Sequence, residues 1–285
     1  MADTSDFQKL EVFCQGGLIL NQPSISLPSG AATILQNYEP STTGGYRKIS
    51  GYSKFSTSTI SGSGAILGIR FHGSHVIACR GANVEYGTGT TWTSIASNRT
   101  SAGRYHFDQY NWTGTEILIM ASGDAGTNPA ATWDGTNYVL MNGAAGSGLG
   151  TAPTNPLDVK QHRGQIFYAQ GSNLTFSAPF SANDFSPGNG AGTIVVPDTI
   201  VGLKSFRERL FIFCSNSIYV LQGSSVNDFT LQPVTRNIGC VSGWSIQEIG
   251  GDLVYLAPDG LRTIAGTTKL DDIELGSISL SINDK

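Results

Sequence analysis

The sequence predicts an all-β protein, a β-propeller of about five or six four-stranded blades with an extended N-terminal arm. Five short apolar runs, each preceded by a turn, begin at Val76, Ile117, Ile166, Leu210 and Leu253. They recur after 41, 49, 44 and 43 residues, a spacing typical of propeller blades. The 285 residues include 36 glycines, which favour turns and disfavour helices. Repeat length and composition therefore agree on the fold class.

Residues 1–30 are predicted to form the arm rather than a blade. Pro23 and Pro28 interrupt its short apolar runs, and proline does not fit a central strand. We expect an extended strap that contacts neighbouring subunits.

The remaining residues, 31–285, are predicted to form one propeller domain. Residues 31–38 and 46–55 are expected to be two strands around a glycine-containing turn. Strands within 31–55 would then pair with the C-terminal segment and close the ring.

The five repeats are expected to be blades whose turns contain glycine or aspartate. They are predicted at 65–95, at 105–140, from 157, at 201–234 and from 246. The turn residues to which we assign an architectural role are Gly73, Gly114, Asp134, Gly135, Gly164, Gly251, Asp259 and Gly260. Asp134-Gly135 is the strongest local hairpin signal, because an Asp-Gly pair suits a tight turn between strands.

Charge and cysteine content narrow the possible partners. The formal net charge is −4, which argues against affinity for phosphate backbones. Only 13% of residues are charged, and we interpret this shortage as a surface that faces other proteins. The four cysteines, Cys14, Cys79, Cys214 and Cys240, are widely spaced, and free buried thiols are favoured over a disulfide framework.

The sequence contains neither a secretion signal at its N-terminus nor an apolar segment long enough to cross a bilayer. Synthesis in the cytoplasm without membrane insertion is therefore expected.

Several segments resemble the propeller core of bacteriophage tail hub and nozzle proteins, and of the DNA-stabilisation proteins that plug the portal of short-tailed phages. The segments are 38–40, 45–55, 207–213, 217–221, 237–240 and 252–260. The resemblance implies a virion protein of the tail, made in the host cytoplasm. It would form a homo-oligomeric ring as a nozzle, hub or collar subunit that conducts DNA or anchors fibres. Its partners would be the portal or adaptor, the tail tube and the fibres, with DNA only as passing cargo.

For every candidate catalytic or metal-binding residue, a purely structural role is favoured. The prediction is therefore a non-enzymatic protein without catalytic, metal or cofactor sites. His72, His75 and Cys79 have ligand-type side chains, but the histidines are expected in a turn. The acidic cluster at Asp271, Asp272 and Glu274 lacks a calcium-loop pattern, and an exposed turn is favoured.

The alternative function is a carbohydrate-binding propeller module of a receptor-binding tail fibre. Trp112 and Trp133 lie near predicted turns, where an exposed ring can stack on a sugar. The competing and favoured interpretation is that both rings wedge between neighbouring blades.

Overall fold

A computed structural model describes residues 16–41, 45–100, 103–123, 128–142 and 151–265. Its regular structure is almost entirely β. The described 3-10 turns are Ser24–Ser26, Pro187–Asn189 and Gly243–Ser245. The predicted all-β class is confirmed. Within these ranges no helix has the length and apolar character needed to span a membrane.

The chain divides into two compact units. Of the described residues, 16–53 and Gly260–Arg262 fall in the first unit, and 54–259 with 263–265 fall in the second.

The first unit contains four short strands: β1 (Gly17–Leu18), β2 (Ala31–Ala32), β3 (Tyr38–Pro40) and β4 (Tyr46–Lys48). Strand β1 pairs in parallel with β2, and β3 pairs antiparallel with β4. The strands expected over 31–38 and 46–55 are therefore much shorter than predicted. Ile49 and Tyr52 are exposed, so little apolar burial is available to extend the second strand. The predicted pairing with the C-terminal segment involves residues 266–285, outside the described residues.

The second unit begins with four sheets, each a four-stranded antiparallel meander. Sheet 1 consists of β5 (Ile66–His72), β6 (His75–Arg80), β7 (Asn83–Gly87) and β8 (Trp92–Ala96). Sheet 2 consists of β9 (His106–Tyr110), β10 (Ile117–Ala121), β11 (Ala131–Trp133) and β12 (Tyr138–Leu140). Sheet 3 consists of β13 (Asp158–His162), β14 (Gln165–Gln170), β15 (Asn173–Phe176) and β16 (Gly192–Val195). Sheet 4 consists of β17 (Ile200–Phe206), β18 (Arg209–Cys214), β19 (Ile218–Gln222) and β20 (Thr230–Thr235).

A fifth sheet, sheet 5, begins with β21 (Gln247–Ile249), which pairs with β22 (Asp252–Ala257). The strand β23 (Gly260–Thr263) follows in the chain. The predicted four-stranded antiparallel repeats are thus confirmed for sheets 1 to 4.

Successive sheets of the second unit pack face to face, and the second strands of sheets 2, 3 and 4 each divide their apolar residues between two neighbouring sheets. On β10, Leu118 and Met120 join an apolar cluster with sheet 1, whereas Ile119 and Ala121 join one with sheet 3. The same alternation places Phe167 of β14 against sheet 4. Alternate side chains of a strand point to opposite faces, so a strand covered on both faces must be apolar throughout. This explains the uninterrupted apolar runs in the sequence.

The described cysteines, Cys79, Cys214 and Cys240, are free and buried, as predicted. Cys14 lies outside the described residues. Burial raises the pKa of the Cys214 thiol to about 12, with a smaller contribution from Asp198. This thiol is therefore protonated at neutral pH and fills space in the core.

Candidate functional site

The first strands of all five sheets, with the turn before β21, contribute to one cavity of about 200 Å³. We name it the first-strand cavity. It is lined by Ile69, Arg70, His106, Phe107, Asp158, Lys160, Leu203, Lys204, Gly243, Trp244, Ile246 and Gln247. Most of its exposed lining is polar, unlike the apolar spaces between the sheets.

Strand register brings long polar side chains to equivalent positions around this cavity. In sheets 1, 3, 4 and 5 a two-residue turn joins the first two strands. The third residue pair from each turn places Arg70, Lys160, Lys204 and Gln247, respectively, on the first strand. Three cations and one amide therefore converge from four different sheets.

Sheet 2 has a longer loop between its first two strands, and there the third pair places Asp108 opposite Ile119. Asp108 Oδ2 accepts a 2.7 Å hydrogen bond from the Gln161 backbone N–H and lies 3.9 Å from Lys160 Nζ. Lys160 also donates to the Phe107 carbonyl at 3.2 Å. Sheets 2 and 3 are thus joined by side-chain contacts at their first strands.

Asp158 is a buried carboxylate in the wall of the cavity, with only 2% of the residue exposed. Its Oδ1 accepts the Val159 N–H at 2.7 Å, and its Oδ2 accepts the Leu203 N–H of the next sheet at 2.7 Å. His106 Nδ1 lies 3.2 Å from Oδ1. Both carboxylate oxygens therefore have partners on neighbouring elements.

These contacts determine the protonation state of Asp158. Burial raises the pKa of the Asp158 carboxyl, but the charge and hydrogen bond of His106, with Lys160 and the Leu203 N–H, outweigh burial and leave the pKa below its usual value. Asp158 is therefore ionised at neutral pH and links sheets 2, 3 and 4.

Close backbone approach completes one wall of the cavity. A Cβ at Gly202 would lie 2.8 Å from the Gly243 Cα, so both glycines allow the 3-10 turn to approach β17. This approach positions Trp244, whose ring centroid lies 4.0 Å from that of His106. The Trp244 residue is 40% exposed. An aromatic face thus borders the polar cavity.

The glycines to which the sequence assigned architectural roles all have positive φ. The angles are 56° at Gly73, 90° at Gly114, 99° at Gly135, 78° at Gly164, 78° at Gly251 and 124° at Gly260. None of these residues lines the first-strand cavity.

The predicted turn aspartates occupy two different loops. Asp134 organises the turn between β11 and β12: its Oδ1 accepts the N–H of Thr136 at 2.8 Å and of Asn137 at 2.6 Å. Asp259 is exposed and directly precedes β23. Neither residue lines the first-strand cavity.

The two tryptophans considered for sugar stacking differ in exposure. Trp133 is 2% exposed and stacks on Tyr86 of sheet 1 with a centroid distance of 5.2 Å, so its face is already occupied. Trp112 is half-buried, 4.3 Å from Tyr110 and 6.0 Å from Phe180 by ring centroid.

The side chains considered for a metal site have packing partners. His72 Nδ1 lies 3.1 Å from Gln109 Nε2, and the rings of His72 and His75 both pack against Trp133. Cys79 is fully buried. Across the described ranges, no group of three or more His, Cys, Asp or Glu side chains is placed to hold a metal ion. The acidic cluster at 271–274 lies outside those ranges.

The sequence analysis missed the cations of the first-strand cavity, although the sequence contains a signal for them. Arg70, Lys160, Lys204 and Gln247 each stand six residues before the first apolar residue of the following run. Counting charge over the whole chain conceals this repeat, because the total is acidic.

Comparison with known proteins supports the fold alone. No protein-family model matches the chain, and no curated protein matches it. A similar solved structure is the extracellular domain of a hybrid two-component system protein from B. thetaiotaomicron, with 12% identity and a TM-score of 0.51. The match covers 79% of this chain and 31% of the other, so this chain spans about a third of that protein domain. BBS1N in complex with ARL6DN is matched with 14% identity and a TM-score of 0.43, over 74% of this chain and 65% of the other.

Proposed function

We propose that this chain is a β-propeller of five or six blades that serves as a structural subunit of a bacteriophage tail. In this proposal it is a nozzle, hub or collar protein that assembles into a multi-copy ring and acts without catalysis or a cofactor. It is made in the host cytoplasm and resides in the virion. Its partners are the portal or adaptor, the tail tube and the fibres.

The observation that best supports a propeller is that the first strands of five sheets share one cavity. Sheets arranged radially around an axis present their first strands to the centre and pack against their neighbours through both faces. The second unit has both features, because five sheets contribute to the first-strand cavity and the apolar clusters join sheets in sequence order.

The phage assignment rests on the resemblance of the strand and turn segments. The low charge content and exposed apolar side chains on outer strands support an assembling subunit. Val195 on β16 is 70% exposed, and Val139 on β12 is 46% exposed. A cavity of about 200 Å³ is far too small for a DNA duplex. Passing DNA would therefore run through a ring of several copies, not through one chain.

Sedimentation and electron microscopy of the purified chain test the ring. We expect a closed oligomer, and removal of residues 1–28 is expected to leave a folded monomer because the arm would supply subunit contacts. Circular dichroism verifies the fold of the truncated protein. A full-length chain that stays monomeric at every concentration would contradict the ring, and an unchanged oligomer after truncation would contradict the role of the arm.

The tail assignment has its own test. Antibodies against the chain are expected to label the tail in virions of the phage that encodes it. Recovery of the polypeptide only from uninfected bacteria would contradict the assignment, whatever its oligomeric state.

A carbohydrate-binding fibre module is the second candidate, and one aromatic cluster favours it. Phe180 is 71% exposed and has a left-handed φ of 56°, an unusual backbone conformation for a bulky residue. With Trp112 and Tyr110 it forms an aromatic surface shared by loops of sheets 2 and 3. Saturable binding on a glycan array that disappears in Trp112→Ala would favour this function over a collar.

A further inference from the structure

We propose that the first-strand cavity is a binding site for a small oxyanion, a phosphate or a carboxylate of low molecular weight. The inference concerns this cavity alone and does not depend on the tail assignment. It rests on three observations: the convergence of cations, the lack of side-chain partners for two of them, and the engagement of the nearby carboxylates by other groups.

The convergence is built into the sheet register. Arg70, Lys160 and Lys204 occupy equivalent positions on three sheets and line one cavity of about 200 Å³. Like charges gathered in a small space repel one another unless a counter-charge is present. A fold that repeats this placement three times therefore favours an anion at the centre.

Two of these cations have side-chain hydrogen-bond donors that are not used within the protein. Within the described ranges, neither the Arg70 guanidinium nor the Lys204 ammonium makes a hydrogen bond or ion pair with a protein group. Lys160, by contrast, is held by the Phe107 carbonyl and by Asp108. Arg70 and Lys204 are thus the groups that would bind the ligand, while Lys160 adds positive potential.

The nearby carboxylates are engaged by groups other than these two cations. Asp158 accepts two backbone N–H groups, one on each oxygen, and His106 lies beside it. Asp108 accepts the Gln161 N–H and faces Lys160. Neither carboxylate pairs with Arg70 or Lys204, so the guanidinium and the ammonium remain available to a ligand.

The dimensions and remaining lining define the ligand class. The cavity accommodates a few non-hydrogen atoms, which suits inorganic phosphate or a short dicarboxylate and excludes a nucleic-acid duplex. The Gln247 side chain adds a polar group at the fourth equivalent position. Charge-assisted hydrogen bonds from Arg and Lys to oxyanions are short and strong, and Arg binds such groups in bidentate geometry.

Isothermal titration calorimetry of the full chain tests the site, with sodium phosphate and sodium succinate as separate ligands at constant ionic strength. Saturable one-to-one binding of either anion is expected, with a matching rise in the midpoint of thermal unfolding. Phosphate and succinate separate the two sources of oxyanion, and binding of one or both supports the site.

The variants Arg70→Gln and Lys204→Gln are each expected to weaken binding about tenfold, because each loses one charge-assisted hydrogen bond. Arg236→Gln is the matched control, since Arg236 is exposed and does not line the cavity. Circular dichroism verifies that each variant is folded.

Three results would overturn the proposal. They are the absence of saturable binding by either anion, unchanged affinity in both cavity variants, and equal loss in Arg236→Gln. A single-stranded oligonucleotide serves as a further arm of the experiment. Salt-dependent binding of the oligonucleotide alone, weakened equally by all three substitutions, would indicate general backbone attraction and would likewise overturn the site.

Discussion

The space between the sheets is filled by apolar side chains, whereas the first-strand cavity is lined mostly by polar ones. Between sheets 1 and 2, Trp133 stacks on Tyr86 within an apolar cluster and is almost fully buried. At the first strands, Asp158 and its partners line a polar cavity, where hydrogen bonds cross from one sheet to the next.

The difference separates cohesion from positioning. Apolar burial is non-directional and contributes about 1.5–3 kcal/mol per large side chain, so it holds the sheets together without fixing their angles. The hydrogen bonds that the Leu203 N–H donates to Asp158 and that Lys160 donates to the Phe107 carbonyl are directional, and they fix one first strand against the next. Substitutions in the two regions should therefore change the free energy of unfolding by different amounts and for different reasons.

The largest expected effect comes from the apolar region. Trp133→Ala is expected to lower the free energy of unfolding by about 3–5 kcal/mol, because it leaves a cavity beneath Tyr86. Chemical denaturation measures the loss. Trp92→Ala is a suitable control, since Trp92 is less buried than Trp133. A loss for Trp133→Ala no larger than for the control would refute the wedging role.

A smaller loss of stability is expected for a substitution in the first-strand cavity. Asp158→Asn is expected to lower the free energy of unfolding by about 2 kcal/mol, because Asn has one acceptor oxygen and one of the two backbone N–H donors therefore loses its partner. Denaturation with urea measures this change. Glu248→Gln, on the exposed strand β21, should change stability by less than about 0.5 kcal/mol. Equal effects of the two substitutions would remove the positioning role of Asp158.

A buried histidine at the end of β13, His162, should also make stability depend on pH. Burial, with a smaller contribution from Arg163, lowers the pKa of His162 from 6.5 to about 4. The unfolded chain therefore binds a proton between about pH 6.5 and pH 4 that the folded chain does not, and stability falls as the pH falls through this window.

Denaturation midpoints across that window measure the effect, and His162→Gln is expected to flatten part of the slope. His72, whose pKa burial also lowers, would account for some of the remainder. An unchanged slope in His162→Gln would show that His162 does not contribute.

The smallest effect is expected at a turn, where a substitution should increase stability rather than reduce it. Glu208 has a φ of 59°, a left-handed conformation that disfavours residues other than glycine. Glu208→Gly is expected to raise the free energy of unfolding by about 0.5–1 kcal/mol, even with the loss of its exposed 3.5 Å contact to Arg163. Ser74→Gly, in the corresponding turn of sheet 1 but without positive φ, should instead be destabilising. Thermal unfolding distinguishes the two.

The sequence predicted the sheets far better than the polar cavity. Runs such as Ile117–Ala121 are apolar because both faces of a strand are covered, so the physical cause is visible in the residues themselves. The cations of the cavity depend on which first strands meet, and that is a property of tertiary arrangement. Asp158 illustrates the limit, because its buried state follows from the Leu203 N–H 45 residues away. The turn before Leu210 was also recognised, but the left-handed backbone of Glu208 was not, since propensity favours glycine at such a position.

The division of the second strands of sheets 2, 3 and 4 between two apolar clusters has a consequence for biosynthesis. When the ribosome releases sheet 2, the side of β10 that carries Ile119 still faces solvent, and it gains its covering only after sheet 3 has been synthesised. Each of these sheets therefore exposes an apolar face in the cell until the next sheet has been synthesised. Ribosome stalling between sheets 2 and 3 should consequently recruit chaperones, whereas stalling after sheet 5 has been synthesised should recruit fewer.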